Sequence, residues 1–144
     1  MTKINKSPPV IWWKATGYKK IKDNEGVIGI LEYSKEINFN VKRVFFIKSD
    51  GRNVIRGSHS HRTLKQLLLC LNGSFKLTLD NGKKIKVLDL NNSSDAIYID
   101  GKTWREMSNF SKDCIILVLC DREYHKDTVI SDYDEFKKIA KRFY

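Results

Sequence analysis

Apolar residues along the chain fall into short runs split by turn residues, and the longest, Cys114 to Cys120, spans seven positions. Runs of this length, rich in Ile, Leu, Val and Phe, read as strands rather than helices. The pattern predicts strands at Ile28 to Glu32, Val41 to Ile47, Gln66 to Leu71, Ser74 to Leu79, Lys84 to Leu88, Ala96 to Ile99 and Cys114 to Leu119. Asn72-Gly73 and Asn81-Gly82 each lie between two apolar runs and predict two-residue hairpins, since such turns favour positive φ. Asp50-Gly51 marks a further turn. Spacings of this kind predict an all-β sandwich or barrel. The end of the chain changes period. Phe136, Ile139, Ala140 and Phe143 repeat at helical spacing, with Asp132 placed as N-cap and Glu135 at the capping-box position. One short C-terminal helix is expected over about 131–143, lying on the sheet.

The chain has 144 residues, enough for one domain with a real core and too few for separate cofactor and substrate domains. No apolar run is long enough for a transmembrane helix, and no apolar stretch follows Lys3 and Lys6 as a secretory signal requires. Formal charge is +10, but the 27 basic residues are scattered and form no long basic tract. Solvated lysines explain this better than a nucleic-acid surface; the positive field would draw anionic small molecules. Cys70, Cys114 and Cys120 give an odd count without a CxxC pair, and all three sit in apolar runs. They read as reduced, buried thiols, which implies a cytoplasmic location.

The chemistry concentrates at Arg56-Gly57-Ser58-His59-Ser60-His61-Arg62, which carries two of the three histidines. In an extended segment His59 and His61 project to one face. Two imidazoles so placed suit a metal or proton transfer near neutral pH. The spacing His59-x-His61, then Gln66, then Gly73, resembles the first motif of the cupin superfamily. Ile99 to Trp104 resembles the place of its second motif. Against that pattern Gln66 replaces a glutamate ligand and Trp104 replaces a histidine. The resemblance implies a double-stranded β-helix, a jelly-roll barrel, kept without its metal chemistry.

A closer resemblance covers roughly Ile21 to Lys138. The segments RGSHSHRTLKQLLLCLNGSFKLTLDNG (Arg56 to Gly82), TWREMSNFSKDCIILVLCDREY (Thr103 to Tyr124) and SDYDEFKK (Ser131 to Lys138) resemble the nucleotide-sugar 3,4-ketoisomerases. These are cofactor-free cupins acting on dTDP-4-keto-6-deoxy-D-glucose. The resemblance implies a single cupin domain over 1–144 and a homodimer exchanging strands from about residues 1–20. It also implies a dTDP-linked keto-deoxysugar as ligand, and a place in deoxysugar supply for surface glycans. Departures are Ser60 for the family's alanine, Asp23-Asn24-Glu25-Gly26 for an Asp-Arg-Gly, and Phe45 and Phe46 where tyrosines are common. Alternatives are an epimerase or isomerase of another nucleotide sugar, a non-catalytic sugar-nucleotide-binding cupin, and a metal-dependent oxygenase.

With this chemistry His59 is expected as principal base and His61 as second proton carrier. Arg56 and Arg62 are expected on the pyrophosphate, with Arg56 the better placed. Gln66 is expected to bond a sugar hydroxyl or orient a histidine. Tyr98, Trp104 and Arg105 are expected to line the substrate, Trp104 at the barrel mouth. No metal, redox cofactor, nucleic acid or membrane partner is expected, and His125 is read as solvated.

Overall fold

The structure is a computed structural model describing residues 10–144. Five strands form the first sheet, in the order β1 (Trp13–Thr16), β9 (Ala96–Asp100), β6 (Lys65–Asn72), β11 (Phe110–Cys120) and β4 (Arg43–Gly51). Five more form the second, in the order β12 (Val129–Ile130), β5 (Arg56–His61), β10 (Trp104–Ser108), β7 (Ser74–Asp80) and β8 (Ile85–Asn91). A separate hairpin joins β2 (Lys19–Asp23) to β3 (Gly26–Ile30). Every pairing between these strands is antiparallel. Two such sheets face to face, with the chain switching between them, give the jelly-roll architecture of the cupins.

The main core fills the space between the sheets, with Leu68, Cys70, Phe75, Leu77, Ile97, Ile116 and Val118 all buried there. Strand β6 is covered on its other face too. Leu67 and Leu69 point away from the interior and pack with Phe39, Tyr18, Leu31 and Ile37. Burial on both sides explains why Leu67 to Cys70 reads as one apolar run rather than an alternation. All three cysteines are buried and free.

The helix α1 (Tyr133–Ala140) begins where expected, with Asp132 accepting from the Glu135 amide at 2.8 Å. Phe136 and Ala140 lay it on the outer face of the second sheet, against Trp104 and Ile130. Among the described residues no helix is long and apolar enough to cross a membrane.

Two turn expectations part company. Asn81-Gly82 joins paired strands β7 and β8, with Gly82 at φ +89°. Asn72-Gly73 makes no hairpin, because β6 and β7 belong to different sheets. Gly73, at φ +73°, turns a corner between sheets. A Cβ there would collide with Ser111, so glycine is required by close packing as well as by φ. The expected strand-exchange segment falls partly on residues 1–9, outside the described residues. Within this chain β1 pairs with its own β9, Trp13 opposite Ile99.

Candidate active site

The site is built on β5, and a bulge sets its geometry. Along β10, Arg105 lies opposite His59 and Glu106 opposite Gly57, so Ser58 is the additional residue. Gly57 has φ +85° and Ser58 φ +56°. A Cβ on Gly57 would stand 2.8 Å from the Arg105 carbonyl oxygen, so only glycine permits this approach. The Ser58 hydroxyl donates to Glu106 at 3.3 Å on the outer side. Beyond the bulge the strand alternates normally. His59 and His61 share the inner face, their ring centroids 4.8 Å apart and nearly perpendicular.

His59 lines an internal cavity walled by Phe45, Ile47, Leu68, Met107 and Val118. Gln66 and Arg105 supply its other polar groups. Burial holds His59 below the ordinary histidine range, and the Arg105 cation adds to this; the Gly57 carbonyl and Asp127 act in the opposite direction. The resting ring is therefore a neutral imidazole at neutral pH.

His61 is 4% exposed. Its Nδ1 lies 2.9 Å from Asp127 Oδ1, and the other Asp127 oxygen accepts from Arg43 at 3.1 Å. Its Nε2 is buried without a partner among the described residues. Burial and Arg105 push its pKa down to about 3. Asp127 pulls upward, but Arg43 already offsets that carboxylate.

Arg105 is 2% exposed, and its two terminal nitrogens are fully engaged. One donates to Gln66 Oε1; the other donates to the carbonyls of Asp100, Gly101 and Thr103 at 3.0, 3.1 and 2.8 Å. Burial lowers its pKa to about 10, so it remains a cation at neutral pH. Arg105, expected to line the substrate, is a buried cation on the cavity wall that ties Gln66 to the turn after β9. Gln66 orients Arg105 rather than a histidine, and its amide nitrogen donates to Cys120 Sγ at 3.4 Å.

Arg56 sits at the rim of the interior. Its Nε donates to Ser49 at 3.4 Å, and Ser49 continues the inward row of Phe45 and Ile47 on β4. With Lys48 it lines an open cleft of about 360 Å³.

Three expected site residues lie elsewhere. Trp104 does not close the barrel mouth: it is 7% exposed on the outer face, packed on Tyr133 and Phe136 with ring centroids 5.2 and 5.4 Å away. Tyr98 also faces outward, because Ile97 and Ile99 take the interior and leave it beside Leu67. Arg62, one step past inward His61, points out and pairs with Glu135 of α1 at 3.0 Å. His125 is exposed, as read from its charged loop. Phe45 faces the cavity while Phe46 is 70% exposed, so only the first would place a phenol in the site if it were tyrosine.

Asp127 and Arg43 were not singled out by sequence. Asp127 lies in the charged stretch Arg122 to Asp127, whose other members are largely solvated. A carboxylate just before the short apolar strand β12, which pairs with β5, was the available signal. Among the described residues no group of three or more His, Cys, Asp or Glu side chains could hold a metal ion. The donors do not fit a cupin metal: Gln66 Oε1, at the place of the glutamate ligand, is taken by Arg105, and that guanidinium cation lies beside the two imidazoles.

Comparison with known proteins agrees with this geometry. Residues 13–141 match the family described as WxcM-like, C-terminal. A TDP-4-oxo-6-deoxy-alpha-D-glucose-3,4-oxoisomerase from Aneurinibacillus thermoaerophilus is 40% identical over 129 residues, 89% of this chain and 93% of that protein. A histidine-to-asparagine mutant of the 3,4-ketoisomerase QdtA from Thermoanaerobacterium thermosaccharolyticum, solved with TDP-4-keto-6-deoxyglucose, superposes with a TM-score of 0.86 at 34% identity, over 92% of this chain and 96% of that one. The TDP-quinovose 3,4-ketoisomerase WlaRB from Campylobacter jejuni gives 0.81 at 37% identity, over 88% and 97%. A family match over nearly the whole chain and these relatives place it plainly: the chain belongs to the WxcM-like, C-terminal family.

Proposed function

We propose that this isomerase moves the keto group of a TDP-linked 4-keto-6-deoxyhexose from C4 to C3, with His59 as the base. The observation that carries the reading is His59 itself. It is a neutral imidazole facing an apolar-walled cavity, with a second histidine edge-on behind it. The C4 ketone acidifies the C3 proton, and an unprotonated imidazole removes it to give an enediolate. A proton then returns at C4, and the O3 hydroxyl proton passes to the oxygen on C4. Carbon and oxygen counts are unchanged and no electron acceptor is needed, so the reading requires neither metal nor redox cofactor. The Arg105 cation lies beside the histidines and favours the anionic enediolate electrostatically. His61 is the second acid–base group, through its free Nε2. Arg56, at the rim cleft, suits the diphosphate as a forked donor, with Lys48 beside it and the carboxylates Asp50 and Asp113 also on the lining.

A homodimer suits the apolar surface that one chain leaves uncovered. Val27 and Ile28 on the β2–β3 hairpin are each 58% exposed, and Phe46 on edge strand β4 is 70% exposed. A cytoplasmic location agrees with three free, buried cysteines.

The test is a proton NMR time course of the purified protein with TDP-4-keto-6-deoxyglucose in heavy water, with and without chelator. Conversion to a 3-keto sugar carrying deuterium at C4, insensitive to chelator, is expected. Saturable binding without conversion would overturn the enzymatic reading.

A further inference from the structure

We infer that Asp127, held by Arg43, is a positioning residue that fixes His61 in the tautomer protonated on Nδ1 and leaves Nε2 as its free acid–base atom. The inference rests on the isomerase reading above and assigns the machinery behind it. The tautomer follows by elimination. An ionised carboxylate only accepts hydrogen bonds, so at 2.9 Å the His61 Nδ1 must carry the proton. Arg43 donates to the second oxygen at 3.1 Å, so both carboxylate oxygens serve as acceptors. The neutral ring then has a lone pair on Nε2, and that atom is buried with no partner among the described residues. A buried polar atom left unpaired calls for an explanation, and a proton-carrying role gives one.

The charges around His61 come from four elements. Arg43 faces it from β4, and Asp127 from the segment before β12. Arg105 acts from β10 and His59 from its own strand. The Arg43–Asp127 pair is close to neutral as a unit, so the nearest uncompensated cation is Arg105. The carboxylate therefore orients the ring without loading it with a second proton. The guanidinium of Arg43 also lies over the rings of Phe45 and Tyr124, at 5.6 and 5.7 Å from their centroids. The pair also bridges the open edges of the two sheets, β4 on one side and β12 with its lead-in on the other. Removing Asp127 altogether would disturb that bridge, so the conservative Asp127→Asn change is the useful one.

The experiment uses the full chain, labelled with nitrogen-15. Long-range proton–nitrogen spectra report the tautomer of each histidine, assigned with His59→Asn, His61→Asn and His125→Asn variants. In the wild type His61 should be neutral with its proton on Nδ1, and unchanged from pH 8 to pH 5.5. Asp127→Asn should lose the single tautomer and lower kcat on the order of 10- to 100-fold, with KM within about twofold. Arg43→Gln should move the acid limb of the kcat profile to higher pH, since an unneutralised Asp127 favours imidazolium. Arg43→Lys should restore the profile. A purely structural role would lower the unfolding temperature and leave tautomer and pH profile alone. A proton on Nε2 in the wild type, or Asp127→Asn with wild-type spectra and kcat, would overturn the inference. The spectra need no substrate, so a chain without isomerase activity would sink the functional reading separately.

Discussion

On the proposed mechanism, replacing His59 by asparagine removes the base that takes the C3 proton while keeping a polar side chain of similar reach. General-base catalysis is worth about 10²–10⁴ in rate, or roughly 3–5 kcal/mol of barrier. kcat should fall by that factor. KM should stay near wild type, because the neutral imidazole carries no charge to attract the diphosphate and the rim cations Lys48 and Arg56 are untouched. The structural cost is small: His59 is only partly buried, and its edge contact with His61 is worth about 0.5–1.5 kcal/mol. That corresponds to a few degrees of unfolding temperature at this chain length. The assay is steady-state conversion of TDP-4-keto-6-deoxyglucose read by NMR or by coupling, with thermal unfolding alongside. Turnover within about threefold of wild type, in a folded variant that binds substrate normally, would refute the assignment.

Trp104→Ala should destabilise the chain by about 3–5 kcal/mol and loosen α1, yet leave KM of the remaining folded protein unchanged, since the ring faces away from the cavity; a specific KM increase at full stability would return Trp104 to the substrate. Arg105→Met should strand Gln66 Oε1 and three carbonyls, costing about 1–3 kcal/mol for each group left without a partner. It should also move the acid limb of kcat/KM to higher pH, because the lost cation depresses both histidines. Folding should weaken as pH falls below about 6.5, the unfolded histidine value, by up to about 1.4 kcal/mol per pH unit. His61 resists protonation down to about 3 in the folded chain, so the unfolded state binds the extra proton and gains as acid is added; urea midpoints at pH 7 and pH 5 measure it.

Strands whose inner faces are apolar were legible. The runs at Gln66 to Leu71, Ser74 to Leu79 and Cys114 to Leu119 fall within observed strands, as the alternation or double-sided burial requires. Strand β10 escaped because its inward positions include Arg105, a residue that reads as solvent-facing until three carbonyls and an amide are found around it. The Asn72-Gly73 signal was real as a positive-φ corner, but local sequence does not say whether the next strand returns beside the last or crosses to another sheet. At the site, i, i+2 spacing was enough to pair His59 with His61, while Arg62, expected on the pyrophosphate, takes the outward place that the same alternation leaves it. It was not enough for Tyr98 and Trp104, whose faces depend on which neighbour the interior takes. Asp127 and Arg43 are 84 positions apart and meet only where the two sheet edges approach, so no local pattern announces them.

The most direct measurement follows the proton at C3. TDP-4-keto-6-deoxyglucose deuterated at C3 would be given to wild type and to His59→Asn in ordinary water, with product and label read by NMR and mass spectrometry. Wild type should release the C3 deuterium to solvent as the 3-keto sugar forms, with a primary isotope effect, and the variant should keep it. Label carried to C4 by the wild type would show internal return by the same base; loss of the C3 deuterium by a folded His59→Asn variant at the wild-type rate would contradict proton abstraction by His59.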